Sequence, residues 1–337
     1  MLSTMRWPTP ILLVWLGCAL GLLTGKAGIA AQASSTSHAR DYVRVADWAK
    51  AQGLNLTWLK RDESFQLTKP SWTFLFKVDT AEVRINGVAV WLSYPVLKAS
   101  DGPRVSQLDL QTIVKPLISP PKTKLVRTIC LDPGHGGKDP GNRVASNEEK
   151  RYTLLLAQEV SGLLAQAGLK VNLTRTRDTF VDLYARPEIA RRRGSDVFVS
   201  LHFNSAATSR NTVQGSEVYC LTPAGASSTN SRGRASNADS GPGTAYLDRS
   251  ILLAYQVQKA LTGQLVVEDR GVRRARFVVL KEVPMPAILV EAAFMSHPAE
   301  GKRIFDPAYR RKMARAIADG ILAYKRAVEQ PRLASTP

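Results

Sequence analysis

Histidine and cysteine are scarce in this chain, with four and three among 337 residues. So few cysteines exclude a disulfide framework, and a domain of this length buries enough core without one. Cys18 lies in an apolar leader, where the preceding Trp15 and the apolar residues that follow argue against lipid attachment. Cys130 and Cys220 each sit in a strand-like apolar segment and read as buried small hydrophobes, with a single bridge between them left open. Long apolar runs are also missing. The run from Ile11 to Leu23 is shorter than the ~20 residues that span a bilayer, follows Arg6, and leads to Ala31-Gln32-Ala33. That pattern predicts a cleaved secretory signal over 1–33, and no stable membrane span once it is removed. Acids are few as well: 28 against 46 Lys and Arg, for a net charge of +18. Such a field attracts nucleic acid, anionic lipid and acidic wall polymers alike. Export removes nucleic acid from the set and places the chain in the periplasm or cell wall.

What is present is an ordinary globular composition, 44% hydrophobic and 22% charged. A Ser-rich leader over 34–40 precedes a small α+β unit over 41–118. In it Val43, Val45, Trp48 and Ala49 share one face of a short helix ended by Gly53, and strands follow. Trp72 to Phe76, Ala81 to Ile85 and Val88 to Leu92 read as extended, the last two joined by the hairpin signal Asn86-Gly87. Leu108 to Ile118 returns to helical spacing. This unit holds no His, no Cys and no acid cluster with ligand spacing, so it reads as a spacer or packing domain, with wall binding as the alternative.

A Pro-bearing linker over 119–125 leads into a larger domain over 126–328, followed by a short tail over 329–337. Strands at Leu125 to Leu131, Leu169 to Thr174, Asp196 to Leu201 and Ala287 to Val290 alternate with helices at Tyr152 to Ala167, near Ala190 to Arg193, and at Leu252 to Leu261. The order predicts an α/β fold, a sheet with helices on both faces and reactive groups just past strand ends. Asn230 to Thr244, rich in Ser, Gly and Asn, reads as a mobile loop.

Two histidines follow predicted strands. His135 lies in the glycine-rich turn Leu131-Asp132-Pro133-Gly134-His135-Gly136-Gly137, and His202 ends Val199-Ser200-Leu201-His202. They can meet at one sheet edge, although each alone reads as readily as a structural histidine. The turn is no phosphate loop, because Asp132 stands where the first Gly would and Asp139 follows Lys138. Glu149, beside Glu148 and Lys150, reads on spacing alone as a solvated helix start. Glu291 ends an apolar strand, where a carboxylate is costly to bury unless it faces a site. His38 and His297 look functionally inert.

Taken together, Leu131-Asp132-Pro133-Gly134-His135-Gly136-Gly137-Lys138-Asp139-Pro140-Gly141, Glu149-Lys150, Ser200-Leu201-His202, Gly215-Ser216-Glu217-Val218-Tyr219 and Pro286 to Ser296 resemble the N-acetylmuramoyl-L-alanine amidase type 3 family, over about Val126 to Arg326. The resemblance implies a zinc amidase-like mixed sheet in which His135, Glu149 and His202 hold Zn2+ and Glu291 is catalytic. It implies peptidoglycan as the partner and hydrolysis of the amide between N-acetylmuramic acid and L-alanine of the stem peptide. Three protein ligands would leave a fourth zinc position open for water, the arrangement of catalytic rather than structural sites. Asp132 or Asp139 could orient His135, or could simply stabilise the turn. The competing readings are a zinc peptidase acting within stem peptides and a silent wall-binding module. The sequence names no regulatory activator protein. In the small first unit, the Asn86-Gly87 hairpin, Trp91-Leu92 and the following Asp101-Gly102 weakly resemble the small N-terminal domain of copper amine oxidases.

Overall fold

The computed structural model describes residues 42–122, 125–229 and 241–329. The signal, the leader, most of the Asn230 to Thr244 loop and the tail beyond Glu329 lie outside them. The described residues form one compact unit.

In chain order they form β1 (Tyr42–Arg44), α1 (Val45–Ala51), β2 (Asn55–Lys60), β3 (Ser64–Lys69), β4 (Trp72–Lys77), β5 (Glu82–Ile85), β6 (Val88–Trp91) and β7 (Arg104–Ser106). A continuous helical stretch follows, made of α2 (Gln107–Asp109), a π-helical turn (Leu110–Val114) and α3 (Lys115–Ile118). Next come β8 (Thr128–Pro133), β9 (Arg143–Val144), β10 (Asn147–Glu148), α4 (Glu149–Gln166), β11 (Lys170–Leu173), α5 (Ala185–Arg192), β12 (Val197–Asn204) and β13 (Ser216–Leu221). The chain closes with α6 (Leu247–Gln264), β14 (Asp269–Ala275), α7 (Val278–Lys281), β15 (Ala287–Phe294), α8 (Pro298–Phe305) and α9 (Pro307–Glu329).

Eleven strands make one mixed sheet, ordered β11-β8-β12-β15-β13-β14-β6-β5-β4-β3-β2. The strands β11, β8, β12 and β15 run parallel, and β13 turns antiparallel against β15. Alternation along each strand divides the core into two layers. Ile129, Leu131, Val199, Leu201 and Val290 face a large cluster shared with α4, α6 and α9, whereas Cys130, Phe198, Tyr219, Ala287 and Leu289 face a smaller one with α5 and α7. Helices thus cover both faces. Cys130 and Cys220 are buried and unbridged.

The first strands are not a separate layer, because β6 docks on β14 at Val272↔Val90 and carries the sheet on into the antiparallel meander β2 to β6. The Ala89 N–H donates to Asp269 at 2.7 Å and the Trp91 indole donates to the Arg270 carbonyl at 3.0 Å. Gly271 permits this approach: its φ is +87°, and a Cβ there would lie 2.8 Å from the Ala89 carbonyl oxygen. At the hairpin, Asn86 and Gly87 take the φ of +47° and +86° that a type I′ turn requires.

The π-helical turn has a covalent cause. Pro116 has no N–H, so the Thr112 carbonyl loses its helical partner, and the buried Arg274 of β14 donates to it at 3.0 Å instead. No described helix is long and apolar enough to cross a membrane.

Candidate metal centre

The parallel strands deliver their side chains to the C-terminal edge of the sheet, as the sequence order predicts. His202 of β12 lies in register with Glu291 of β15, and Glu291 lies in register with Glu217 of β13. Side chains at such positions share a face. His135 reaches the same edge from the turn after β8, and Glu149 from the first turn of α4.

That turn is strained. His135 has φ +62°, a conformation that costs a non-glycine residue energy unless its surroundings enforce it. Two buried guanidinium groups do so. Arg175 donates to the carbonyls of Pro133 at 3.1 Å, Gly134 at 2.8 Å and Lys150 at 2.7 Å. Arg186 donates to Asp132 at 2.7 Å and to the carbonyls of Pro133 and His135, each at 2.9 Å. Asp132, fully buried, also accepts from Ser200 at 2.8 Å and Thr174 at 2.6 Å, so its role is to anchor the turn. Gly134 leaves room for His202, since a Cβ there would lie 2.2 Å from the His202 ring.

His135, Glu149 and His202 offer three ligand atoms that all lie within 4.8 Å of one another, a group able to hold a metal ion. Glu149 Oε1 is 3.2 Å from His135 Nε2 and 3.0 Å from His202 Nδ1. Donors bound tetrahedrally at zinc distances are separated by about 3.3 Å, and both carboxylate-to-imidazole separations are close to that. The remaining contacts fix each donor. Asp139 Oδ2 sits 2.8 Å from His135 Nδ1, leaving Nε2 turned toward the cluster. Glu149 accepts from the Phe203 N–H at 3.0 Å, the Asn142 N–H at 2.9 Å and the Asn142 amide at 2.8 Å.

The electrostatics follow from this crowding. Burial opposes ionisation of Glu149, but hydrogen bonds with both imidazoles hold its carboxyl well below the usual carboxylate range. Burial also opposes protonation of His135, yet its bonds to Glu149 and Asp139 outweigh it and raise its pKa. Glu291 moves the other way. Burial first, then the negative charges of Glu149 and Glu217, push its pKa well above the ordinary value, and its Oε2 is buried with no hydrogen-bond partner. Glu217 itself is held by Arg270 at 3.1 Å, Arg273 at 3.0 Å, Asn204 at 2.7 Å and Tyr219 at 2.8 Å.

A cavity of about 690 Å³ opens over the cluster, and His135, Glu149, His202 and Glu291 all line it. The four residues singled out in the sequence therefore meet in one place. Asn142, Arg175, Arg186 and Glu217 were not singled out for a role. For Arg175 the only signal was a cation placed shortly after a strand, and Arg186 was submerged in the basic segment from Arg186 to Arg193. His297 caps α8, accepting from the Glu300 N–H.

Similarity to known proteins agrees with this geometry. The chain is 35% identical over 233 residues to the N-acetylmuramoyl-L-alanine amidase AmiA of Salmonella typhimurium, covering 61% of this chain and 80% of that one. It is 34% identical over 199 residues to LytC of Bacillus subtilis, covering 59% of this chain and 36% of that one. Among solved structures, the amidase AmiC2 of Nostoc punctiforme superposes with a TM-score of 0.50 at 34% identity, over 60% of this chain and 98% of that one. Residues 129–323 match the N-acetylmuramoyl-L-alanine amidase family as a whole. With strand order, residue cluster and sequence match in agreement, the chain belongs to the N-acetylmuramoyl-L-alanine amidase family.

Proposed function

We propose that the chain is an exported, zinc-dependent peptidoglycan amidase that hydrolyses the bond between the lactyl group of N-acetylmuramic acid and L-alanine of the stem peptide, in the periplasm or cell wall. One observation carries the reading: two imidazoles and a carboxylate with donor atoms within 4.8 Å of one another share one cavity with a second carboxyl group, Glu291, whose buried Oε2 has no hydrogen-bond partner.

His135, Glu149 and His202 would hold the ion, the neutral imidazoles and single carboxylate being the donor set of catalytic rather than structural zinc. Zinc in such a site supplies a Lewis acid for the scissile carbonyl and makes water acidic enough to attack at neutral pH. Asp139 keeps His135 in the tautomer that presents Nε2. Glu291 takes the proton from the attacking water and returns it to the departing L-alanine nitrogen. One group can serve both duties because attack and departure need opposite proton transfers in sequence.

Digestion of purified sacculi with product analysis by mass spectrometry tests the reaction. Free stem peptides and peptide-free glycan are expected. Disaccharide peptides would mean glycosidic cleavage, and shortened stems would mean a peptidase. Glu291→Gln is expected to cut the rate by about 10²–10⁴ while bound zinc stays at the wild-type level.

A further inference from the structure

Six large hydrophobic side chains are exposed among the described residues, and three of them fall within five positions: Phe180 at 45%, Leu183 at 48% and Tyr184 at 64%. Phe180, Val181, Asp182 and Leu183 line the cavity over the metal cluster, and Tyr184 follows directly at the start of α5. Exposed apolar groups scattered singly need no explanation, but a concentration at the mouth of a reaction cavity does.

The segment is held rigidly. Asp178 accepts from the Gly137 N–H at 2.7 Å and pairs with Lys150 at 2.9 Å. Arg186, already bonded to Asp132 and the His135 carbonyl, donates to the Val181 carbonyl at 3.1 Å. The Tyr184 N–H donates to Asp182 at 2.9 Å. The two backbones are in direct contact: a Cβ on Gly136 would lie 2.2 Å from the Thr179 carbonyl oxygen, and one on Gly137 2.6 Å from the Phe180 nitrogen. The backbone of the segment is thus tied to the His135 turn without a ligand, which lowers the entropic cost of binding.

The charge around the rim narrows the occupant. Asp139, Glu149, Asp182 and Glu291 line the cavity, and the two arginines among its walls are engaged, Arg186 with Asp132 and Arg276 with the carbonyls of Pro223 and Ala226. Stem peptides carry carboxylates and gain little from such walls. A sugar chain whose lactyl groups are amide-linked, as in the intact substrate, is neutral and fits them better. Pyranose rings offer faces of C–H groups and N-acetyl methyls that pack on aromatic and aliphatic side chains, and Lys138, whose Nζ lies 4.5 Å from the Phe180 ring centroid, can donate to sugar hydroxyls.

We infer that the 180–184 segment is a preformed platform for the N-acetylated glycan strand, with Phe180 and Tyr184 as its principal contacts, and that it holds the muramic acid residue over the metal cluster. This rests on the amidase reading for the identity of the substrate. Its test is a binding measurement, separate from turnover.

The probe is oligomers of N-acetylglucosamine, uncharged like the glycan of the intact substrate, titrated by calorimetry into the full chain carrying Glu291→Gln, with isolated stem peptides as the second ligand. Adding Phe180→Ala or Tyr184→Ala is expected to weaken glycan binding by ~10-fold each and to leave stem-peptide binding unchanged. Phe180→Tyr and Tyr184→Phe should retain it. On sacculi, the same alanine variants of the active chain should raise KM and spare kcat. Both residues are exposed, so bound metal and melting temperature are expected to stay at wild-type values. Unchanged glycan affinity, or loss confined to stem peptides, would overturn the platform. The amidase reading fails on a different result, the release of disaccharide peptides by the wild-type chain.

Discussion

At the scale of single residues, the site depends on side chains that position its donors. His135 presents Nε2 to the cluster because Asp139 occupies Nδ1 at 2.8 Å. Removing that partner frees the ring to rotate and to change tautomer, so Asp139→Ala is expected to weaken zinc affinity by about 10–100-fold. Competition with a fluorescent chelator measures it, and unchanged affinity would reduce Asp139 to a turn residue. From the sequence, His135, His202, Glu149 and Glu291 were legible as a set only through several motifs in fixed order; singly, each had an ordinary structural reading. The choice between Asp132 and Asp139 was not legible at all. Both are acids flanking the same turn, and only the fold shows Asp132 fully buried beneath Arg186 while Asp139 faces the imidazole.

At the scale of elements, the legible parts were those with strong local chemistry. The Asn86-Gly87 hairpin, the apolar period of α4 and the Gly168 that ends it, with φ +81°, all stand where their residues imply. Other elements were hidden for identifiable reasons. The outermost strands β2 and β3 carry many polar residues, and Leu125, expected inside the first strand of the larger domain, is 55% exposed and precedes β8. The π-helical turn needed knowledge of a partner: Pro116 announces a broken helical bond, but nothing local says that Arg274, more than 150 residues away, repairs it.

The same corner carries a pH signature. Asp109 is fully buried, accepting from the Ser93 and Tyr94 N–H groups, and burial raises its pKa above 3.8 although those bonds and Arg274 pull it down. A raised carboxyl binds its proton more tightly when folded, so its contribution to stability falls as pH rises from 3.8 through the folded value. Subtracting the denaturation free energy of Asp109→Asn from that of the wild type at each pH isolates the group. The difference is expected to decline across that window, and a rise would contradict the assignment.

At the scale of the whole molecule, the meander β2 to β6 is a continuation of the catalytic sheet. Trp91 lies beneath Arg273, 4.6 Å from guanidinium to ring, and Arg273 in turn pairs with Glu217 beside Glu291. The first eighty described residues therefore brace the strand next to the site. A chain beginning at residue 125 would expose the edge of β14 and leave Arg274 without Thr112. It is expected to melt at a lower temperature, with increased aggregation from the bared edge; a fragment as stable as the full chain would show the meander to be an independent appendage.

The most direct single measurement is zinc content and stem-peptide release on the same purified chain, before chelation, after it, and after zinc is restored. About one zinc per chain is expected, with turnover lost on its removal and recovered on its return, and with no zinc retained by a His135→Ala, His202→Ala double variant. Stem-peptide release continuing at full rate from the metal-free chain would contradict the assignment.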